Sequence, residues 1–185
     1  MRGPLWLLDA EDALLAERAA DGDAWAFECL IRRHLGMMRA IAGQLTRSAH
    51  DADDAAQEAC LTAWQTIDSL REPAKVRSWL LRITSRKAID RIRARRGELD
   101  LDAVAPASDP GAGPEQRTEV SVQMTELSRI LSALPDLQRT VWILREEGGM
   151  SYREIAEALD QPESTVRGAL SRARRALLVG LEGWA

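Results

Sequence analysis

Side chains that carry out catalysis or bind metals are scarce in this chain of 185 residues. It has two cysteines, Cys29 and Cys60, and two histidines, His34 and His50. None of them stands in a C-x-x-C or Cys/His pattern, which excludes the usual metal and redox motifs. No nucleophile stands beside a suitable base either. We therefore predict buried, reduced thiols, no cofactor and no enzymatic activity.

Strand signals and long apolar runs are also missing. Apolar residues recur every three or four positions nearly throughout, and no alternating run rich in Val, Ile or Thr occurs, so the sequence predicts an all-α fold. The brief apolar run in residues 1–8 is too short for a signal-peptide core or a membrane span. The expectation is a cytoplasmic protein without membrane insertion.

Charge is distributed unevenly along the chain. The net charge of −4 and the pI of about 5.3 argue, on average, against nucleic-acid binding. However, residues 71–96 contain ten basic and two acidic side chains, a net +8, whereas residues 49–68 contain five acids and no lysine or arginine, a net −5. Nearly all the cations are arginines, which suit bidentate phosphate and base contacts, although high genomic G+C content gives the same bias. The segregation predicts separate partners for separate surfaces.

Periodicity over residues 10–96 predicts a compact bundle of four helices, at about 11–20, 23–46, 51–67 and 76–95. The acids of the third helix lie at its start, where the helix dipole favours them. The predicted core side chains are Phe27, Leu30, Ile31, Leu35, Met38, Ile41, Leu45, Ala55, Cys60, Ala63, Trp64, Ile67, Val76, Trp79, Leu80 and Ile83.

Composition changes after this bundle. Residues 97–118 are rich in Gly, Pro, Ala and acids and hold too few bulky apolar side chains to fold alone, which predicts a flexible acidic linker. A second helical unit is predicted over 119–182, with helices at about 120–131 and 135–147, the latter stopped by Gly148-Gly149. Its small core is predicted to contain Leu134, Val141, Ile143 and Leu144.

The segment 151–178 has the pattern of a helix-turn-helix. Ser151 and Glu154 have capping-box spacing, and the turn 160–163 precedes a second helix. Val166, Leu170, Ala173 and Leu177 form the apolar stripe of that helix. Polar and basic residues lie outside the stripe: Ser164, Thr165, Arg167, Gly168, Ser171, Arg172, Arg174 and Arg175. Such a helix fits the DNA major groove, and a solvated basic helix end is the alternative.

The order of these features resembles a bacterial RNA polymerase sigma factor, in the extracytoplasmic-function (ECF) group of the sigma-70 family. The resemblance covers about residues 10–180 and includes both helical units. The strings that carry it are AFECLIRRH (26–34), DADDAAQEACLTAW (51–64), RSWLLRI (77–83), AIDRIR (88–93), LPDLQRTV (134–141), and SYREIAEAL with PESTVR and LSRARRAL within 151–177.

This resemblance implies that the third helix docks on the clamp helices of the largest polymerase subunit and that the protein also meets the polymerase flap region. The matching residues for clamp docking are Asp51, Asp54, Gln57 and Glu58. An acidic face without arginine suits such docking because complementary charge steers association. An ordinary acidic helix start is the alternative.

The resemblance further implies that the loop around 69–75 and the fourth helix read the −10 promoter element and capture a flipped base. Base capture needs polar edges and an apolar floor. The polar candidates are Asp68, Ser69, Arg71, Lys75 and Ser78, and the cations that could follow the phosphate backbone are Arg82, Arg86, Lys87, Arg91, Arg93 and Arg95. Trp79 is expected in the core rather than as a stacking platform.

The recognition helix resembles the reader of the −35 element, at Thr165, Arg167, Ser171, Arg172 and Arg174. Where relatives commonly have Ser-Arg, this chain has Gly168-Ala169, so we expect weaker or altered −35 recognition. The predicted function is a promoter-specificity subunit for core RNA polymerase, with promoter DNA and an anti-sigma factor as further partners. The competing hypothesis is a stand-alone helix-turn-helix repressor or activator whose N-terminal bundle serves dimerisation.

Overall fold

The computed structural model describes residues 5–99 and 129–182. Within these two ranges every regular element is helical, which confirms the predicted all-α class. The chain divides into two compact units, one ending at Pro110 and the other beginning at Gly111. In the described ranges, no helix combines the length and apolarity needed to cross a membrane.

The described part of the first unit contains four α-helices, and side-chain caps fix the starts of the second and the third. The Asp23 carboxylate accepts from the backbone N–H groups of Trp25 and Ala26, and the Ser48 hydroxyl accepts from that of Asp51. The fourth helix extends four residues beyond its predicted end, into the predicted linker; residues 100–118 lie outside the described ranges. The helices are α1 (Asp12–Ala20), α2 (Ala24–Thr46), α3 (Ala49–Thr66) and α4 (Val76–Leu99).

Helix α3 packs against both α2 and α4, and its buried residues are all alanines. The stripe is Ala52, Ala55, Ala56, Ala59 and Ala63, each at most 5% exposed. Methyl side chains let neighbouring helices approach closely, and close-packed interiors leave little room to enlarge them. The prediction that Trp64 belongs to the core is wrong, because this stripe turns Trp64 outward; it is 40% exposed and its ring meets that of Phe27 at a centroid distance of 4.9 Å.

Most of the other core predictions for this unit are confirmed. Buried side chains include Leu30, Met38, Ile41, Leu45, Ala55, Ala63, Ile67, Val76 and Leu80. Several predicted core residues are only half-buried, because they lie at the margins of their helices' buried faces: Phe27, Ile31, Leu35, Cys60, Trp79 and Ile83. Cys29 is buried as predicted, whereas Cys60 is half-buried, and that burial raises the pKa of its thiol.

A polar network ties α1 to α2. The Asp12 carboxylate accepts from Arg33 and lies 2.8 Å from Nε2 of the buried His34, and Arg33 also donates to the carbonyl oxygens of Leu8 and Ala10. Burial alone would raise the pKa of Asp12, but the hydrogen bonds and charges of Arg33 and His34 outweigh it and lower that pKa below its ordinary value.

In the second unit, residues 129–133 are helical, so the predicted helix at 120–131 lies mostly outside the described residues. The predicted 135–147 helix is confirmed as an α-helix that continues into a π-helical turn, Ile143–Glu147. All four predicted core residues, Leu134, Val141, Ile143 and Leu144, are buried. The α-helices that follow residues 129–133 in the described part of this unit are α5 (Asp136–Trp142), α6 (Tyr152–Leu159) and α7 (Glu163–Glu182).

Candidate functional site

Three helix surfaces and the loop between α3 and α4 carry the residues that the sequence assigned to partners. The acidic face of α3 comprises Asp51, Asp54, Gln57 and Glu58. The cations of α4, which together we call its basic face, form two rows on nearly opposite sides of the helix: Arg82, Arg86 and Arg93 in one, and Lys87, Arg91 and Arg95 in the other. The recognition surface is the exposed side of α7, comprising Ser164, Thr165, Arg167, Gly168, Ser171, Arg172, Arg174 and Arg175. The first two surfaces lie in the first unit and the third lies in the second.

The acidic face of α3 is joined by ion pairs to one row of cations on α4, Lys87, Arg91 and Arg95. Arg91 donates to both acids at the centre of the face, with Nη1 2.8 Å from Asp54 Oδ2 and Nη2 2.6 Å from Glu58 Oε1. Arg95 Nη1 lies 3.2 Å from Asp51 Oδ2, and Lys87 Nζ lies 4.0 Å from Glu58 Oε2. Two surfaces that the sequence predicted for separate partners therefore meet in one network, which we call the α3–α4 ladder.

The ladder is partly exposed, and Arg91 lies at its centre. The hydrogen bond to Glu58 is the main reason that the pKa of Arg91 is raised, with further contributions from the charges of Glu58, Asp54 and Asp51. Gln57 is exposed and stands outside the ladder. The i, i+4 spacing of Asp54 and Glu58, matched by that of Lys87, Arg91 and Arg95, was the sequence signal that could have revealed the pairing.

The loop between α3 and α4 contains two short 3₁₀ turns, Ile67–Ser69 and Pro73–Lys75. Asp68, Ser69, Arg71 and Lys75 are exposed, and Ser78 is half-buried. The loop hydroxyls donate locally, from Ser69 to the Thr66 carbonyl oxygen and from Ser78 to the Lys75 carbonyl oxygen, so their free lone pairs can only accept. Lys75 pairs with Glu72 at 2.7 Å.

A shallow cleft lies between this loop and α1. It has a volume of about 370 Å³ and an apolar floor that includes Ile67, Leu70 and Pro73. On its other side stand Ala16, Glu17, Ala20 and Asp21. The loop therefore combines exposed polar groups with an apolar recess, the two elements that a captured base requires. The neighbouring Trp79 is half-buried.

The helix-turn-helix forms as predicted. The Ser151 hydroxyl accepts from Glu154 N–H, and the Glu154 carboxylate accepts from Ser151 N–H at 2.9 Å, so the capping box is complete. Asp160 ends α6 in the left-handed region at φ 51°. The predicted stripe of α7, Val166, Leu170, Ala173 and Leu177, is buried and packs the recognition helix on the rest of the unit. The opposite side of α7 faces away from this core.

Two arginines of the recognition surface are held by acids that the sequence reasoning missed. Arg167 pairs with Glu163 one turn earlier, and Arg174 Nη2 lies 2.6 Å from Glu146 Oε1. The hydrogen bond to Glu146 is the main cause of a raised pKa for Arg174. The i, i+4 spacing of Glu163 and Arg167 was a signal that could have predicted the first pair. The second pair joins residues far apart in the sequence, so no local spacing predicts it.

Tyr152 lies beside two arginines, one of which is Arg167 of the recognition surface. The guanidinium carbons of Arg145 and Arg167 lie 5.0 and 5.4 Å from the centroid of its ring, within the range of cation–π attraction. Arg145 is further fixed by donating to the Met150 carbonyl oxygen at 2.7 Å. Tyr152 therefore connects the π-helical turn, α6 and α7, a role that the sequence reasoning did not assign to it.

Gly168 and Ala169, which stand where relatives commonly have Ser-Arg, occupy two different environments. Gly168 is half-buried on the recognition surface, whereas Ala169 is completely buried in the core of the unit. Because it is buried, the Ala169 side chain adds no group to the exposed side of α7. The departure that changes the recognition surface is Gly168.

Comparison with known proteins places both units in one family. The model of Sigma-70 region 2 matches residues 30–98, and the model of Sigma-70, region 4 matches residues 124–177. The ECF RNA polymerase sigma factor SigM of Mycobacterium tuberculosis H37Rv is 37% identical over 171 residues, which cover 91% of this chain and 82% of the relative. "Probable RNA polymerase sigma factor RfaY" of Xanthomonas campestris is 35% identical over 175 residues, 90% of this chain; the chain spans 44% of that longer relative.

A solved structure agrees with these matches. The sigma factor RpoE of Bartonella quintana, in complex with the anti-sigma factor NepR, superposes with a TM-score of 0.61 at 27% identity, over 84% of this chain and 96% of that one.

Proposed function

The chain belongs to the sigma-70 family, in its ECF group, and from this premise we propose that it binds core RNA polymerase and directs transcription initiation at promoters with −35 and −10 elements. The observation that carries the proposal is the presence of two sigma units in family order, the second with a capped helix-turn-helix whose arginines face outward. Members of this family are initiation factors rather than enzymes, and we extend that to this chain.

The acidic face of α3 is the proposed polymerase contact. Its supporting features are the carboxylates of Asp51, Asp54 and Glu58 on one side of the helix and the exposed Gln57 between them. A basic partner helix could replace the arginines of α4 at these carboxylates, and charge complementarity would steer the encounter.

DNA is the proposed ligand of the loop between α3 and α4, of the basic face of α4 and of the recognition surface. The loop with Asp68, Ser69, Arg71, Lys75 and Ser78 would capture an unpaired −10 base. The basic face of α4 would follow the strand backbone, with Arg82, Arg86, Lys87, Arg91, Arg93 and Arg95 as phosphate contacts. The recognition surface would enter the major groove at the −35 element.

An anti-sigma factor is proposed as a third kind of partner, since the Bartonella relative is held in such a complex. We place the protein in the cytoplasm, where a bacterial polymerase and its promoters are found. Dimerisation through the N-terminal bundle, as in a stand-alone repressor, is not favoured, because that bundle matches the sigma region that precedes the helix-turn-helix in this family.

Reconstitution tests the proposal. The full chain is mixed with core polymerase, and transcripts are mapped on a genomic DNA library. Defined start sites downstream of shared −35 and −10 sequences are expected. Double replacement Asp54→Asn with Glu58→Gln should weaken co-elution with core polymerase, whereas Glu28→Gln, an exposed acid on α2, should not. A free dimer that shifts duplex DNA and never co-elutes with polymerase would contradict the proposal and favour the stand-alone regulator.

A further inference from the structure

The arginines of the recognition surface differ in whether a carboxylate of the same chain pairs with them. Arg167 and Arg174 are paired with carboxylates, those of Glu163 and Glu146. By contrast, Arg172 is exposed and has no hydrogen bond or ion pair to any residue in the described ranges. Its guanidinium is therefore available to an outside acceptor without the loss of an internal partner.

The position of that guanidinium depends on the absence of a side chain at Gly168. A Cβ atom built on Gly168 would lie 3.3 Å from Arg172 Nη1 and 3.9 Å from both Cζ and Nη2. Helical side chains lean towards the N-terminus and cover the preceding turn, which brings a residue at i+4 over residue i. The Arg172 guanidinium thus lies low against the helix, over the surface that a larger residue at position 168 would occupy.

Glycine at this place is unfavourable for the helix itself. Gly168 lies within α7, which runs from Glu163 to Glu182, and glycine is the poorest helix former after proline. It does not have a left-handed φ, and the three atoms nearest to its missing side chain, apart from the local helix backbone, all belong to the Arg172 guanidinium. Neither backbone conformation nor tight helix packing therefore requires glycine here.

We propose that Gly168 is a specificity-determining residue of the −35 reader, because it lets Arg172 lie low on α7 and present its donor edge to one guanine of the element. The inference rests on the proposed function. Guanine offers O6 and N7 in the major groove, the pair of acceptors that one arginine meets bidentately. A Cβ at position 168 pushes the guanidinium away by a few tenths of an ångström, which worsens a bidentate contact that must meet both acceptors at once.

The experiment uses holoenzyme reconstituted from the full chain and core polymerase, transcribing a promoter library with a randomised −35 element. Wild type is expected to select a guanine at one position, and Arg172→Ala to reduce that selection by about 5- to 150-fold. Gly168→Ala and Gly168→Ser should reduce the same selection at least several-fold while leaving −10 preferences unchanged. In the Arg172→Ala background, Gly168→Ala should have no further effect at that position.

The matched control is Gly36→Ala in α2, where a new Cβ meets nothing within 4 Å. Both alanine variants should melt at or above the wild-type temperature, so a changed −35 profile in Gly168→Ala alone cannot come from unfolding. An unchanged −35 profile in Gly168→Ala overturns the inference, as does an equal change with and without Arg172. If wild-type holoenzyme starts transcription with no −35 preference, the inference fails while polymerase binding stands; if it starts none, the proposed function fails as well.

Discussion

Replacing Ala59 with leucine would test how closely α3 is held between its neighbours. Ala59 is completely buried at the centre of the alanine stripe, and α3 packs against both α2 and α4. An isobutyl group in place of a methyl overpacks such a site, at a cost of about 1–3 kcal/mol. Leucine and alanine have similar helix propensities, so no compensating gain is expected.

The ion pairs of the α3–α4 ladder add to this cost, because they require α3 to stay close to α4. Pairs as exposed as Arg91 with Asp54 and Glu58 contribute about 0.2–1 kcal/mol each, so packing dominates. A loss of 1–3 kcal/mol corresponds to roughly 5- to 150-fold less protection against hydrogen exchange. We expect this loss in the amides of α3 and α4 of the full chain.

Ala40→Leu is the matched control, since Ala40 is exposed on α2 and can accept the same side chain without overpacking. Protection in α3 and α4 should then stay within about 0.5 kcal/mol of wild type. Wild-type protection in Ala59→Leu would refute the reasoning, because it would mean that the space beside Ala59 can admit a leucine.

Three further outcomes can be checked on the full chain. Because folding lowers the pKa of Asp12, the ionised carboxylate stabilises the folded state at pH values above its unfolded pKa of about 3.9. This stabilisation is lost as the pH falls through the folded pKa. In acid titrations, Asp12→Asn should therefore lose less stability than wild type below about pH 4. Gly180→Ala should destabilise the second unit by about 1–3 kcal/mol in urea titrations, since its Cβ would lie 2.8 Å from the buried Ile130 side chain; a gain in stability would contradict the close contact. Ser151→Ala should cost about 0.5–2 kcal/mol by removing the cap of α6, whereas Ser132→Ala should change the melting temperature little.

Local signals predicted the second unit well. The capping box of Ser151 and Glu154 and the stripe from Val166 to Leu177 depend on spacings of three or four residues, which the sequence displays directly. The start of α7 at Glu163 follows from the turn before it. Family strings then supplied the expected partners, which spacing alone could not have named.

Features that depend on contacts between helices were harder to predict. Trp64 was assigned to the core because large apolar residues dominate a hydropathy pattern, whereas the alanine stripe that is buried has a weaker signal. The ion pair of Glu146 with Arg174 joins two helical elements, so no periodic spacing in the sequence predicts it. The position of the Arg172 guanidinium over Gly168 depends on the rotamer of the Arg172 side chain, and no sequence pattern specifies a rotamer.

The α3–α4 ladder changes how salt should act on this protein. A free cation that meets a DNA phosphate releases a condensed counterion, and the number released sets the slope of log affinity against log salt. Arg91 and Arg95 already neutralise carboxylates of α3, so they can add to that slope only after exchanging one anion for another. In salt titrations of the isolated chain, the affinity for DNA should therefore fall less steeply with salt than its arginine count suggests. The slope should become steeper once another protein binds the carboxylates of α3.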